Sequence, residues 1–221
     1  MTVKRRLMMK MKTKEKHLRR LRNELICCKK RFQSNAEISE NWRKTSTILY
    51  QLCKSFPDHR RIRYILPKVT AVDRLYNAWL YRKGIRYIDV ARKLQASNID
   101  SLLGKVGDNL SSRNVKDAVT VASTVAGLGN IKNPRFIVFA SKYLHFHRPN
   151  VFPILDSYAE KRMRTISNKI GLHFDDCDCD SRYECFCRQI LALRRDLRTV
   201  TDMQISLLDC DKLLYGSRYL M

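Results

Sequence analysis

Asp156 closes the run Phe152-Pro153-Ile154-Leu155-Asp156, an extended apolar link that leads into a helical pattern. The dipole and free N–H groups of a helix N-terminus keep such a carboxylate ionised. In a closed pocket it could steady a developing sugar cation or activate water. Lys142 lies on the preceding helical stretch, among Phe139, Tyr143 and Phe146. A partly buried lysine can act as a nucleophile once burial lowers its pKa. Its stem can equally pack while its head reaches water. Tyr143, His145 and His147 could contact a flipped base, or they could fill the core. Upstream, Gly127-Leu128-Gly129-Asn130 is the tightest glycine turn in the chain, followed by Lys132 and Arg135. A Gly-x-Gly turn between two helices offers backbone N–H groups to a phosphate, and a Cβ would block that approach.

Cys177, Cys179, Cys185 and Cys187, with His173 just before them, form a second constellation. Four thiols could hold one zinc, but zinc sites prefer wider gaps between paired cysteines. Cys185 and Cys187 fall on a helical pattern, where residues two apart face different ways. The expectation is therefore no metal and no cofactor, with this segment a surface loop that caps the Tyr183 helix.

Helices must position these groups. Gly (7) and Pro (5) are scarce in 221 residues, and 44% are hydrophobic. Leu18, Leu21, Leu25 and Cys28 mark one apolar stripe over Thr2 to Phe32. A second helix is expected from Ser34 to Phe56, ended by Pro57 and Asp58. Pro67 is expected to break the chain again. Val72, Leu75, Tyr76, Trp79 and Leu80 then repeat with helical spacing up to Gly84. Asn98 can cap a short helix. Further helices are expected over 114–126, from Pro134 to about His147, from Asp156 to about Lys169, and at Tyr183–Leu197 and Leu207–Leu214. The class is all-α, a multi-helix globular domain over 34–221 with a degenerate helix-hairpin-helix. A basic helical arm, 1–33, precedes it.

The formal net charge is +23. Met1 to Arg31 holds 13 Lys or Arg against Glu15 and Glu24, a net +11. Self-repulsion at this density needs a polyanion or an anionic surface to offset it, and nucleic acid is the commonest such partner. The candidate phosphate contacts are Arg5, Arg6, Arg19, Arg20, Lys29 and Lys30 on the arm. In the body they are Arg60, Arg61 and Arg63 of a basic knot after His59, with Gly127, Gly129, Lys132, Arg135 and Arg148. DNA is expected in preference to RNA, with protein partners of a larger complex also open. No apolar run is long enough to span a membrane. Eight cysteines without a visible export signal point to reduced thiols in a bacterial cytoplasm, beside the nucleoid, or in a nucleus.

The chain resembles the helix-hairpin-helix DNA glycosylase superfamily, of the endonuclease III and 8-oxoguanine glycosylase type. That family's pattern is roughly Leu-Pro-Gly-Val-Gly-x-Lys, a helix, then Pro-Val-Asp. Here Ala126-Gly127-Leu128-Gly129-Asn130-Ile131-Lys132 precedes a helix and Phe152-Pro153-Ile154-Leu155-Asp156. The lysine-to-aspartate separation is longer here, and one extra residue stands between proline and aspartate. The resemblance implies that Asp156 is the catalytic carboxylate and Lys132 the lysine that attacks the sugar C1′ in bifunctional members. Phe139-Ala140-Ser141-Lys142 through Ser157 is also similar to a group of small uncharacterised bacterial proteins. Two readings follow. One is a glycosylase-like protein that removes a base from duplex DNA. The other is a non-catalytic nucleic-acid-binding accessory of a nucleoprotein or phage-defence assembly.

Overall fold

Apolar positions recur at three- and four-residue steps along most of the chain, and helices form over most of these stretches. The computed structural model describes residues 3–33, 37–128, 136–172, 179–201 and 203–216. Among these residues there are ten α-helices and no strand. They are α1 (Val3–Gln33), α2 (Glu37–Ser55), α3 (Ile62–Tyr76), α4 (Tyr87–Ala96), α5 (Ile99–Lys105), α6 (Val115–Gly127), α7 (Phe136–His147), α8 (Ser157–Ile170), α9 (Arg182–Thr199) and α10 (Leu207–Gly216). A single 3-10 turn, Tyr81–Lys83, follows α3. None of these helices is long and apolar enough to cross a membrane.

The chain divides into two compact units, Met1–Ser39 with Asp156–Met221, and Glu40–Leu155. Sequence reading set 1–33 apart from a domain over 34–221. The structure groups α1 with the C-terminal helices instead. In this discontinuous unit α1 packs on α8, α9 and α10. Its stripe of Leu18, Leu21, Leu25 and Cys28 is buried. Lys14 pairs with Asp196 at 2.6 Å, Lys29 with Asp209 at 3.0 Å, and Arg162 with Glu24. Gly216, the last residue of α10, lies so close to Cys28 that a Cβ there would overlap the thiol.

The central unit, Glu40–Leu155, packs α3 on α4 and α7, and α6 on α5 and α7. Pro67 does not break α3, which runs through it. Burial of Ile65, Val69 and Val72 on one face outweighs the hydrogen bond that proline removes. The helix stops at Tyr76, well before Gly84, so Leu75 and Trp79 stand on the surface rather than in an apolar stripe. The link Val151–Leu155 is buried and pinned to α7. The Leu155 N–H donates to Ser141 Oγ at 3.1 Å, and the Phe152 carbonyl meets His145 Nδ1 at 2.9 Å.

Candidate nucleic-acid interface and the groups behind it

Asp156 is the N-cap of α8, with extended torsions (φ −143°, ψ 175°). Its Oδ1 accepts from the N–H groups of Tyr158 (3.1 Å) and Ala159 (2.9 Å). The sequence reading of an aspartate opening a helix is met by this geometry. Lys142 is buried, and its Nζ donates to the carbonyl of Tyr76 at 2.8 Å. The ammonium thereby satisfies a terminal carbonyl of α3. Gly127 is the exposed last residue of α6, and its torsions are not left-handed. Among the described residues, nothing lies within 4 Å of where its Cβ would be. Gly129, Lys132 and Arg135 lie outside the described residues, as do Cys177 and His173.

His59, read from sequence as part of a basic knot, is 2% exposed. Its Nδ1 lies 2.6 Å from Asp100 Oδ1, its Nε2 lies 2.9 Å from Tyr143 Oη, and its own N–H donates to Asp100 Oδ2 at 2.9 Å. Burial pushes the His59 pKa down and the Tyr143 phenol well up. The neutral imidazole therefore donates from Nδ1 to the carboxylate and accepts a hydrogen bond from the phenol at Nε2. Asp100 itself is 41% exposed, so the relay runs from the surface into the core of the central unit. Lys68, fully buried, donates to the carbonyls of Phe56 (2.8 Å) and Asp58 (3.2 Å) and holds the turn that carries His59.

The ring of His147 stacks obliquely near His59, with centroids 4.9 Å apart, and its Nε2 is buried without a hydrogen-bond partner among the described residues. His145 bridges the Phe152 carbonyl and the Tyr50 hydroxyl, the latter at 2.7 Å. Burial lowers its pKa to about 4. Tyr143 and His145 are thus core groups with fixed partners. No signal in the sequence could have joined His59 to Asp100 and Tyr143, because each is brought by a different helix or turn.

Most of the described candidate phosphate-contacting cations take the outer surface. On α1, Arg5, Lys12, Lys16, Arg19, Arg20 and Lys30 are exposed. By the 3.6-residue helical period they fall opposite the buried leucines. Arg6 lies on the same helix. Arg19 pairs with Glu15, and Lys29 is engaged by Asp209. In the central unit Arg60, Arg61 and Arg63 are exposed around the buried His59. Arg148 is half-buried, and its guanidinium donates to the Val106 carbonyl at 2.8 Å. Glu40–Leu155 carries 20 Lys or Arg against seven Asp or Glu, a net +13.

Cys187 is buried and burial raises its pKa, while Cys179 is raised to about 11 by burial and by Cys185. No group of three or more metal-binding side chains occurs among the described residues.

A family model, HI_0787_N, described as an N-terminal domain, matches residues 14–151. The chain belongs to this family. The HI_0787_N segment begins within α1 and takes in His59, Lys68, Asp100, Tyr143, His145 and His147. It ends five residues before Asp156. No curated protein and no solved structure matches.

Proposed function

We propose that this chain binds nucleic acid, duplex DNA in preference to RNA, by laying its exposed cations along the phosphate backbone. The observation that carries this reading is the segregation of charge on α1. Its apolar side is buried and its opposite side is a row of Lys and Arg. Such a row positions a protein on phosphates without reading sequence. Neutralising each phosphate releases counterions, so affinity should fall steeply with salt.

Deleting residues 1–31 is a poor test, because it removes Leu18, Leu21, Leu25 and Cys28 from the core. The better variant is Lys12→Gln with Lys16→Gln, Arg20→Gln and Lys30→Gln, all exposed positions. Titration of a labelled duplex over a range of salt should give a slope shallower by about 0.9 for each phosphate that is no longer neutralised. An unchanged slope removes α1 from the interface, and no binding at low ionic strength ends the proposal.

The second reading, base release by a glycosylase-like mechanism, draws support from the placement of Asp156 at the N-terminus of the 14-residue α8. Asparagine caps a helix as well as aspartate does, whereas alanine costs about 1 kcal/mol. Asp156→Asn should therefore keep the wild-type urea midpoint while Asp156→Ala lowers it. If the chain releases a base from a damaged duplex, Asp156→Asn should abolish release and retain DNA affinity. No release by the wild type from a panel of damaged duplexes leaves the accessory reading alone.

A further inference from the structure

The corner between α3 and α4 is built with unusual care. Asp73 is 5% exposed, and its carboxylate accepts from the N–H of Leu80 (2.8 Å), the N–H of Tyr81 (3.1 Å) and the hydroxyl of Tyr87 (2.8 Å). These bonds turn the chain sharply after α3. Asn77 (φ 51°) and Trp79 (φ 70°) both take left-handed torsions. A left-handed torsion is strained for a residue as bulky as tryptophan and persists only where its surroundings enforce it. The outcome of that strain is an aromatic pair on the surface, with Trp79 37% and Tyr81 63% exposed. One guanidinium lies over each ring. Arg82 lies 4.5 Å from the Trp79 ring centroid, and Arg74 lies 4.2 Å from that of Tyr81. Lys83 is exposed beside them.

We infer that this corner is a stacking platform for unpaired bases of a polynucleotide. Every base has a π-face that tryptophan or tyrosine can take, and stacking tolerates any sequence. The guanidinium groups beside the rings supply charged N–H donors of the kind that phosphate oxygens accept. The carboxylate of the corner, Asp73, is buried and engaged by the Leu80 and Tyr81 N–H groups and the Tyr87 hydroxyl, so it presents little charge to a polyanion. This inference rests on the nucleic-acid reading above and narrows it to strands with at least one unstacked base.

The test uses the full chain with oligothymidylate and a blunt duplex, each labelled for anisotropy, and follows tryptophan emission in parallel. Wild-type emission should be quenched by oligothymidylate in step with binding. Trp79→Phe, which leaves Trp42 as the chain's one tryptophan, should bind without that quenching. Trp79→Gly deletes the ring and suits the left-handed torsion. It should weaken single-strand binding about tenfold and leave duplex binding within about twofold. Equal single-strand affinity in a folded Trp79→Gly chain overturns the platform while duplex binding stands. Quenching by polyglutamate as strong as by oligothymidylate also overturns it, assigning the corner to an acidic protein partner. Failure to bind either oligonucleotide at low salt instead sinks the parent reading, and the platform with it.

Discussion

His145 shows how much of the central unit depends on groups that stay neutral. Its Nδ1 meets the Phe152 carbonyl and its Nε2 the Tyr50 hydroxyl, so the ring donates at one nitrogen and accepts at the other. Protonation would turn that acceptor into a donor, reverse the bond to the Tyr50 hydroxyl and place a charge in the core. In the unfolded chain a histidine titrates near pH 6.5, and here burial lowers the folded value to about 4. Between those values the unfolded state binds a proton that the folded state refuses. The stabilisation is complete above about pH 6.5 and falls as pH drops toward 4, by about 3 kcal/mol in all for this residue. His59 and His147 are lowered by burial too and add to the same loss. The urea midpoint should therefore fall steeply from pH 6.5 downward. His145→Gln should fall less steeply, and parallel curves for the two chains would show that another group sets the slope.

Periodicity made the helices legible, and it was most reliable where a helix buries one stripe. Leu18, Leu21, Leu25 and Cys28 define α1 by spacing alone, and all four are buried. The same rule misled at Trp79, which follows Tyr76 at a helical step but leaves the helix because Asp73 captures the next N–H groups. A side chain acting on backbone a few residues ahead leaves no periodic trace. Pro67 misled in the opposite direction, since core burial carries α3 through it. Of the candidate site, the capping role of Asp156 was legible because apolar link and helix meet there. The tie of Lys142 to Tyr76 was not, because 66 residues separate them. Packing between α1 and α10 offers a sharp check. Gly216→Ala should destabilise the chain by about 1–3 kcal/mol through overlap with the Cys28 thiol. Cys28→Ala should cost stability alone yet relieve Gly216→Ala in the double variant. Additive losses in a thermal melt would mean that the two sites do not share that space.

At the scale of the molecule, charge dominates. A net +23 on 221 residues repels itself in the free protein, and this repulsion is screened by salt. Raising sodium chloride from low to moderate concentration should raise the melting temperature of the free chain by several degrees. A short duplex added at low salt should do the same by neutralising the cations. If salt leaves the melting temperature unchanged, the charges are too far apart or too well paired to matter. The charge is unevenly placed. Asp156–Met221 holds 11 Lys or Arg and 11 Asp or Glu, so the positive excess belongs to α1 and to Glu40–Leu155.

The discontinuity of the first unit has a consequence for synthesis. A ribosome makes α1 early, but the surfaces that cover its leucines, on α8, α9 and α10, emerge only after Asp156. At translation rates of about 5–20 residues per second, α1 waits on the order of ten seconds or more for its partners. The central unit can close in the meantime. A message cut short before α8 would thus leave α1, apolar on one side and cationic on the other, without the surfaces that cover it, the kind of product that chaperones and proteases seize first.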